Sequence, residues 1–252
     1  MRIIALINQK GGSGKTTTAV NLGAALARMK KRILIIDIDP QAHATIHLGL
    51  DLHKLGNSIY EVLISGKPLE DIIYKTEIKN LEIAPSHINL SGAEIELVNV
   101  IGRETILKDN VNRIKDKYDY ILIDCPPSLG LLTLNALTTA NEVMIPIQTE
   151  YLALEGMSKL VSTIEIVKKR LNKHLDITGI IPTMYDHRTN LSQEVLRNIT
   201  GYFKNKVFKT VIRQNIRLAE APSYGKPILL YAASAHGSED YLKLAKEVIS
   251  RE

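Results

Sequence analysis

The sequence predicts an α/β fold: a mainly parallel sheet with helices on both faces, in one domain spanning residues 1–252. Three observations carry that expectation. Short β-rich apolar runs alternate with longer stretches of helical period. The first run leads through a glycine-rich loop directly into a helix. Two later runs, Ile33-Leu34-Ile35-Ile36 and Tyr120-Ile121-Leu122-Ile123, each end in an aspartate. Strands covered on both sides read as continuous apolar runs, and alternation with helices is the pattern of parallel crossovers.

Strands are predicted at Ile3–Ile7, Ile33–Ile36, Leu81–Ala84, Tyr120–Ile123, Val143–Ile147, Ile177–Ile181 and Val207–Ile212. The helix opened by the loop is predicted over Thr17–Met29, where Val20, Leu22, Ala24, Ala25 and Leu26 are apolar and Gly23 is the one weak former. Later helices are expected at Glu104–Lys117, Gly156–Leu171, Leu191–Phe203 and Glu239–Ile249, the last carrying Leu242, Leu244, Ala245, Val248 and Ile249. No repeat, low-complexity tract or linker interrupts the 252 residues.

Composition narrows the function classes. A single cysteine, Cys125, excludes an internal disulfide framework and any multi-thiolate metal or iron–sulfur site within one chain, and its place after an apolar run reads as a core thiol. No charged-then-apolar leader opens the sequence and no apolar run approaches a membrane span, so a soluble, cytoplasmic protein is expected. The net charge of +5 is unevenly placed. Between Lys168 and Lys226 there are 12 Lys and Arg against four acids, a local +8 that leaves −3 for the remainder. This segregation suits either a polyanion partner or a solvated lysine-rich face.

The chemistry begins in Ile7-Asn8-Gln9-Lys10-Gly11-Gly12-Ser13-Gly14-Lys15-Thr16-Thr17-Thr18. Strand, glycine loop, Lys-Thr and helix form the context a phosphate loop needs. Glycines let backbone N–H groups turn toward phosphates, the helix N-terminus adds the positive end of its dipole, Lys15 meets the β and γ oxygens, and the Thr16 hydroxyl ligates Mg²⁺. The usual spacing needs one lysine and places a glycine where this chain has Lys10. In open α/β sheets ligands sit beyond the carboxyl ends of strands, so Asp39 and Asp124 are drawn to the same nucleotide. Asp124 is the expected acid reaching Mg²⁺ through water, and Asp39 can orient an attacking water; the alternative for either is a strand-end turn or helix cap.

Lys10-Gly11-Gly12-Ser13-Gly14-Lys15-Thr16-Thr17, Asp37-Ile38-Asp39-Pro40-Gln41 and Asp124-Cys125-Pro126-Pro127-Ser128 resemble the deviant Walker A ATPases. Within these, Gln148 to Gly156, Tyr185-Asp186-His187-Arg188-Thr189-Asn190-Leu191 and Ile216-Arg217-Leu218-Ala219-Glu220-Ala221-Pro222-Ser223 resemble the ParA/Soj partition ATPases, over residues 2 to 249. The resemblance implies a P-loop NTPase fold, ATP and Mg²⁺ as cofactors, and slow, partner-stimulated hydrolysis. It also implies an ATP-dependent homodimer in which Lys10 reaches the other subunit's nucleotide, non-specific double-stranded DNA binding through Arg188 and Arg217, and a ParB-type partner. Lys10, Lys15 and Asp39 carry the catalytic roles; Gly11, Gly12, Ser13, Gly14 and Thr17 join the lysines and Thr16 around the nucleotide. The segment containing Arg213 and Asn215 lies near the adenine in relatives.

Three departures stand out. Ala42-His43 replaces a common Gly-Asn, Arg213-Gln214-Asn215 replaces Pro-Arg-Asn, and Ser234-Ala235-His236-Gly237 replaces a basic element before the last helix. His43 and His47 lie four apart without a third ligand and read as solvated or packed histidines. The sequence opens at the first strand, so a helix-turn-helix extension and operator reading are not expected. A membrane-cycling MinD-like ATPase would carry a C-terminal amphipathic helix, and an iron–sulfur carrier would carry bridging cysteines; this sequence shows neither. A ParA-like positioner of protein cargo remains the alternative to DNA segregation, and the expected localisation is cytoplasmic and nucleoid-associated.

Overall fold

The computed structural model describes residues 1–150, 154 and 156–251. In chain order the elements are β1 (Arg2–Leu6), α1 (Lys15–Arg28), β2 (Ile33–Asp37), α2 (His43–His47), α3 (Ile59–Ile64), β3 (Tyr74–Lys75), β4 (Leu81–Ala84), α4 (Leu90–Glu96), α5 (Ile106–Ile114) and β5 (Tyr120–Asp124). There follow α6 (Leu131–Thr139), β6 (Glu142–Gln148), α7 (Met157–Arg170), β7 (Asp176–Thr183), α8 (Asn190–Phe203), α9 (Ile216–Glu220), α10 (Ile228–Tyr231) and α11 (His236–Ser250). Part of the family-like stretch from Gln148 to Gly156, namely residues 151–153 and 155, falls outside the described residues, as does residue 252.

The strands form one sheet in the order β3-β4-β2-β5-β1-β6-β7, parallel throughout except for the β3–β4 pair. Strand alternation divides the core in two. Ile3 and Ala5 of β1 join Leu34, Ile36, Ile121 and Ile123 on the face covered by α3 to α8, while Ile4 and Leu6 join Ile33, Ile35, Tyr120 and Leu122 on the face covered by α1 and α11. The fold class expected from the sequence is therefore the observed one. Because the strands run parallel, the exits of β1, β2, β5, β6 and β7 all lie along one edge of the sheet, and that edge carries the site.

Six of the expected strands and all five expected helices are present with small boundary shifts. The seventh expected strand, Val207–Ile212, is not formed: the segment meets β7 at an isolated bridge between Ile180 and Val207 and donates from Phe208 N–H to Ile180 O at 2.9 Å and from Ile212 N–H to Pro182 O at 2.8 Å, with no continuous ladder between them. The reason is competition for its amides. Lys209 N–H and Thr210 N–H donate to the Glu247 carboxylate of α11 at 2.8 and 2.9 Å, which peels the backbone off the sheet edge. The Phe208 ring packs against Gly179, where an added Cβ would meet it at 2.2 Å, and the Arg251 guanidinium lies over the ring at 3.9 Å from its centroid.

The short α3 rests on a capping box between Ser58 and Glu61. Helix α6 escapes sequence periodicity because nearly every side is buried, including Thr133, Asn135 and Thr138. Among the described residues no helix is long and apolar enough to cross a membrane.

Candidate functional site

The loop from Ile7 to Gly14 links β1 to α1 and wraps a cavity of about 450 Å³, lined by Gly11 to Thr17 together with Asp39, Gln41, His43, Ile46, His47, Pro127, Met184 and Pro222. Gly12 and Gly14 have φ of +70° and +91°, the left-handed region that glycine enters without Cβ strain. Asn8 Nδ2 donates to the Pro146 carbonyl at 2.7 Å and Asn8 Oδ1 accepts from Lys10 N–H at 3.0 Å, so the loop starts anchored to β6. Lys15 begins α1 and is 7% exposed. Burial lowers its pKa, while the charges of Asp124, Cys125 and Asp39 pull the other way.

Lys10 sits differently from Lys15. Its side chain is 46% exposed, and among the described residues it makes a loose 3.8 Å ionic approach to Glu150.

The two aspartates at strand exits come together as expected. Asp124 is fully buried, opposite Asp37 in the β2–β5 register, and neither of its carboxylate oxygens has a hydrogen-bond partner among the described residues. Burial first, then the nearby Asp37 charge, holds its carboxyl well above the usual range, with the Thr16 hydroxyl and Lys15 acting in the opposite direction. A buried carboxylate without a hydrogen-bond partner, beside a threonine hydroxyl and an ammonium, is a donor set suited to a hydrated cation. Asp39, 7% exposed, lines the cavity, and its Oδ1 accepts from Gln41 N–H at 3.0 Å.

Sequence reasoning quoted Asp37 without giving it a task. Its Oδ2 accepts from Thr45 N–H at 2.9 Å and Thr45 Oγ1 at 2.8 Å, and its Oδ1 accepts from Asp39 N–H at 3.1 Å, so it braces the loop that carries Asp39. Burial raises its pKa to about 7 against those three bonds. Ala42 adopts φ +53° as the residue before α2; an alanine there carries the Cβ penalty that glycine avoids. Of the two histidines, His43 is exposed and His47 is 1% exposed with Nε2 unpartnered among the described residues. Burial lowers the His47 pKa to about 4, so it is neutral at pH 7. The described residues contain no group of three His, Cys, Asp or Glu placed to hold a metal.

Two further residues were given no task by the sequence: Gln148, noted only as the start of a family-like stretch, and Thr183, not singled out at all. Gln148 and Thr183, paired across β6 and β7, each donate to a carbonyl of the glycine loop: Gln148 Nε2 to Gly12 O and Thr183 Oγ1 to Ser13 O, both at 2.9 Å. Their position at strand exits is the signal that would have found them.

Arg213 and Asn215 are not among the residues that line the phosphate cavity. Arg213 forks onto Asp240 of α11, with Nη2 to Oδ1 at 2.6 Å, and also pairs with Glu239 at 2.8 Å. It lines a second surface cavity of about 470 Å³ together with Tyr185, Asp186, His187, Arg188, Gln214, Ile216 and His236. Asn215 Oδ1 accepts from Arg217 N–H at 2.9 Å and caps α9. Both Arg188 and Arg217 are surface side chains held by their own carboxylates, Asp186 and Glu220, each at 2.8 Å. An anionic partner must compete with those exposed pairs, which are individually weak.

A family model described as an AAA domain matches residues 1–177. The chain is 54% identical over 247 residues to the sporulation initiation inhibitor protein Soj of Bacillus subtilis, covering 98% of each. It is 48% identical over 251 residues to the chromosome partitioning protein ParA of Myxococcus xanthus, covering 100% of this chain and 89% of that one. A solved structure of cobyrinic acid a,c-diamide synthase from Mycobacterium smegmatis, with bound ATP analog and magnesium, aligns with a TM-score of 0.87 at 35% identity over 99% of this chain and 94% of that one. With 54% identity to Soj and 48% to ParA over nearly the whole chain, and a glycine loop and Asp39 lining one cavity, the chain belongs to the Soj/ParA family of chromosome-partitioning ATPases.

Proposed function

We propose that this ATPase is a DNA-segregation switch that dimerises when it binds ATP, holds duplex DNA without regard to sequence, and is reset by hydrolysis stimulated by a ParB-type partner. The observation that carries the reading is the contrast between its two loop lysines. Lys15 is buried against Asp124 and serves the phosphates of its own chain, whereas the Lys10 side chain is 46% exposed, with a loose 3.8 Å tie to Glu150 among the described residues, and serves a second chain. A triphosphate carries more negative charge than one lysine and one Mg²⁺ neutralise, so a cation offered by a partner makes association depend on ATP.

The residues present fit Mg²⁺: Thr16 would ligate it directly, and the orphaned Asp124 oxygens would accept from its bound waters. When bound, Mg²⁺ supplies charge neutralisation of the β and γ phosphates. Around it, the amides of Gly11 to Thr17 hold the phosphate oxygens and Lys15 balances their charge. Asp39, fixed through its backbone by Asp37, orients a water in line with the γ-phosphorus. Attack forms a P–O bond to that water, breaks the bond to the bridging oxygen, and releases ADP and phosphate.

DNA binding is assigned to Arg188 and Arg217, on the C-terminal side of β7, within the +8 segment. In a dimer each arginine appears twice, and doubling the phosphate contacts multiplies affinity, since each neutralised phosphate steepens the salt slope by about 0.9. The test is a salt series on two unrelated duplexes with ATP and with ADP, for wild type, Arg188→Glu and Arg217→Glu. Binding that needs ATP, ignores sequence, and weakens with a flatter slope in both variants is expected. Equal affinity with ADP, preference for one duplex, or unchanged binding in both variants defeats the proposal, and the last outcome favours a protein cargo.

A further inference from the structure

The glycine loop is not self-supporting. Two of its carbonyls, Gly12 O and Ser13 O, are held from outside by side chains at the exits of β6 and β7, and the geometry points to Gln148 and Thr183 as positioning residues that aim the loop's amides at the nucleotide phosphates.

In a trans peptide the C=O and N–H point in opposite directions. Fixing Gly12 O toward Gln148 therefore turns the Ser13 N–H the other way, and fixing Ser13 O toward Thr183 does the same for the Gly14 N–H. Neither amide donates to any described residue, so both are left for a ligand. Glycines supply freedom to adopt this shape but no force to keep it, because Gly12 and Gly14 lose more conformational entropy on ordering than other residues. The hydrogen bonds from β6 and β7 supply the constraint.

The clamp is itself held. Thr183 is 2% exposed, and its carbonyl accepts from Thr149 N–H at 3.0 Å and Thr149 Oγ1 at 3.2 Å. Gln148 is 8% exposed, and its amide nitrogen also donates to Met184 Sδ at 3.2 Å. The phase of the pair depends on a register shift lower in the sheet: Val143 pairs with Ile177 but Met144 with Gly179, leaving Thr178 as the extra residue on β7. Side chains alternate along a strand, so without that extra residue every later β7 side chain would change face relative to β6. The shift is thus what lets Gln148 and Thr183 reach neighbouring carbonyls of one loop.

The test uses the full chain and calorimetric titration with the nonhydrolysable analogue AMPPNP and with adenosine. Thr183→Val keeps the shape and removes the hydroxyl; Gln148→Met removes the amide in case the valine variant folds poorly. Each is expected to weaken AMPPNP binding by about five- to tenfold, the worth of one lost hydrogen bond, with adenosine binding unchanged, and Thr183→Ser is expected to restore the wild-type value. A purely structural role would lower thermal stability and leave the affinity of the folded protein for AMPPNP intact, and that result overturns the inference, as does failure of serine to rescue. The inference rests on the loop being the nucleotide site, and Lys15→Ala separates the two. If Lys15→Ala loses AMPPNP and Thr183→Val does not, only the clamp fails; if Lys15→Ala binds normally, the site assignment fails.

Discussion

His47 gives this chain a measurable acid sensitivity. The imidazole is 1% exposed, one turn after His43 and beside the phosphate cavity, and burial lowers its pKa from 6.5 to about 4. Its folded pKa lies below the unfolded one, so between these values the unfolded chain binds the extra proton. The stabilisation is complete above pH 6.5 and is lost as the pH falls toward 4. From the two pKa values, the loss between pH 7.5 and 4.5 is about 2.5 kcal/mol. Asp37 works in the opposite sense, since its raised pKa of about 7 favours the fold at low pH and that contribution fades as the pH rises from 3.8. The buried Asp124 does the same. Both are common to wild type and variant and cancel in their difference. Urea unfolding of wild type and His47→Gln at pH 7.5 and 4.5, followed by circular dichroism, should show the wild type losing about 2.5 kcal/mol more than the variant over that interval. Parallel losses in the two proteins would refute the argument that the buried imidazole is held neutral.

Lys15→Ala should abolish ATP binding, whereas Lys10→Ala should bind ATP but fail to dimerise with it; light scattering alongside nucleotide titration checks both, and a Lys10→Ala variant that still dimerises removes the role in the second chain. Gly179→Ala should cost about 1–3 kcal/mol through overpacking, because the added Cβ would lie 2.2 Å from the Phe208 ring. Thermal melting checks the loss, and Phe208→Leu in the same chain should recover part of it.

What is local was legible in the sequence. Apolar runs named six of the strands, since a strand buried on both faces needs apolar side chains at every position, as Ile33–Ile36 and Tyr120–Ile123 show. The glycine loop between strand and helix announced the phosphate cavity, because its chemistry is carried by contiguous residues from Gly11 to Thr17. Parallel strand exits then sufficed to bring Asp39 and Asp124 to the same place.

What the tertiary structure alone decided is where groups distant along the chain compete for the same partner. Glu247 takes two of the amides that would have made Val207–Ile212 a strand, and Asp240 and Glu239 take the guanidinium of Arg213. Gln148 and Thr183 reach Gly12 and Ser13 across 136 and 170 residues of chain. Pattern and spacing report the preferences of a segment, but a backbone amide or a charged side chain satisfies itself with whichever acceptor the fold brings nearest, and that choice exists only once the sheet and its covering helices have assembled.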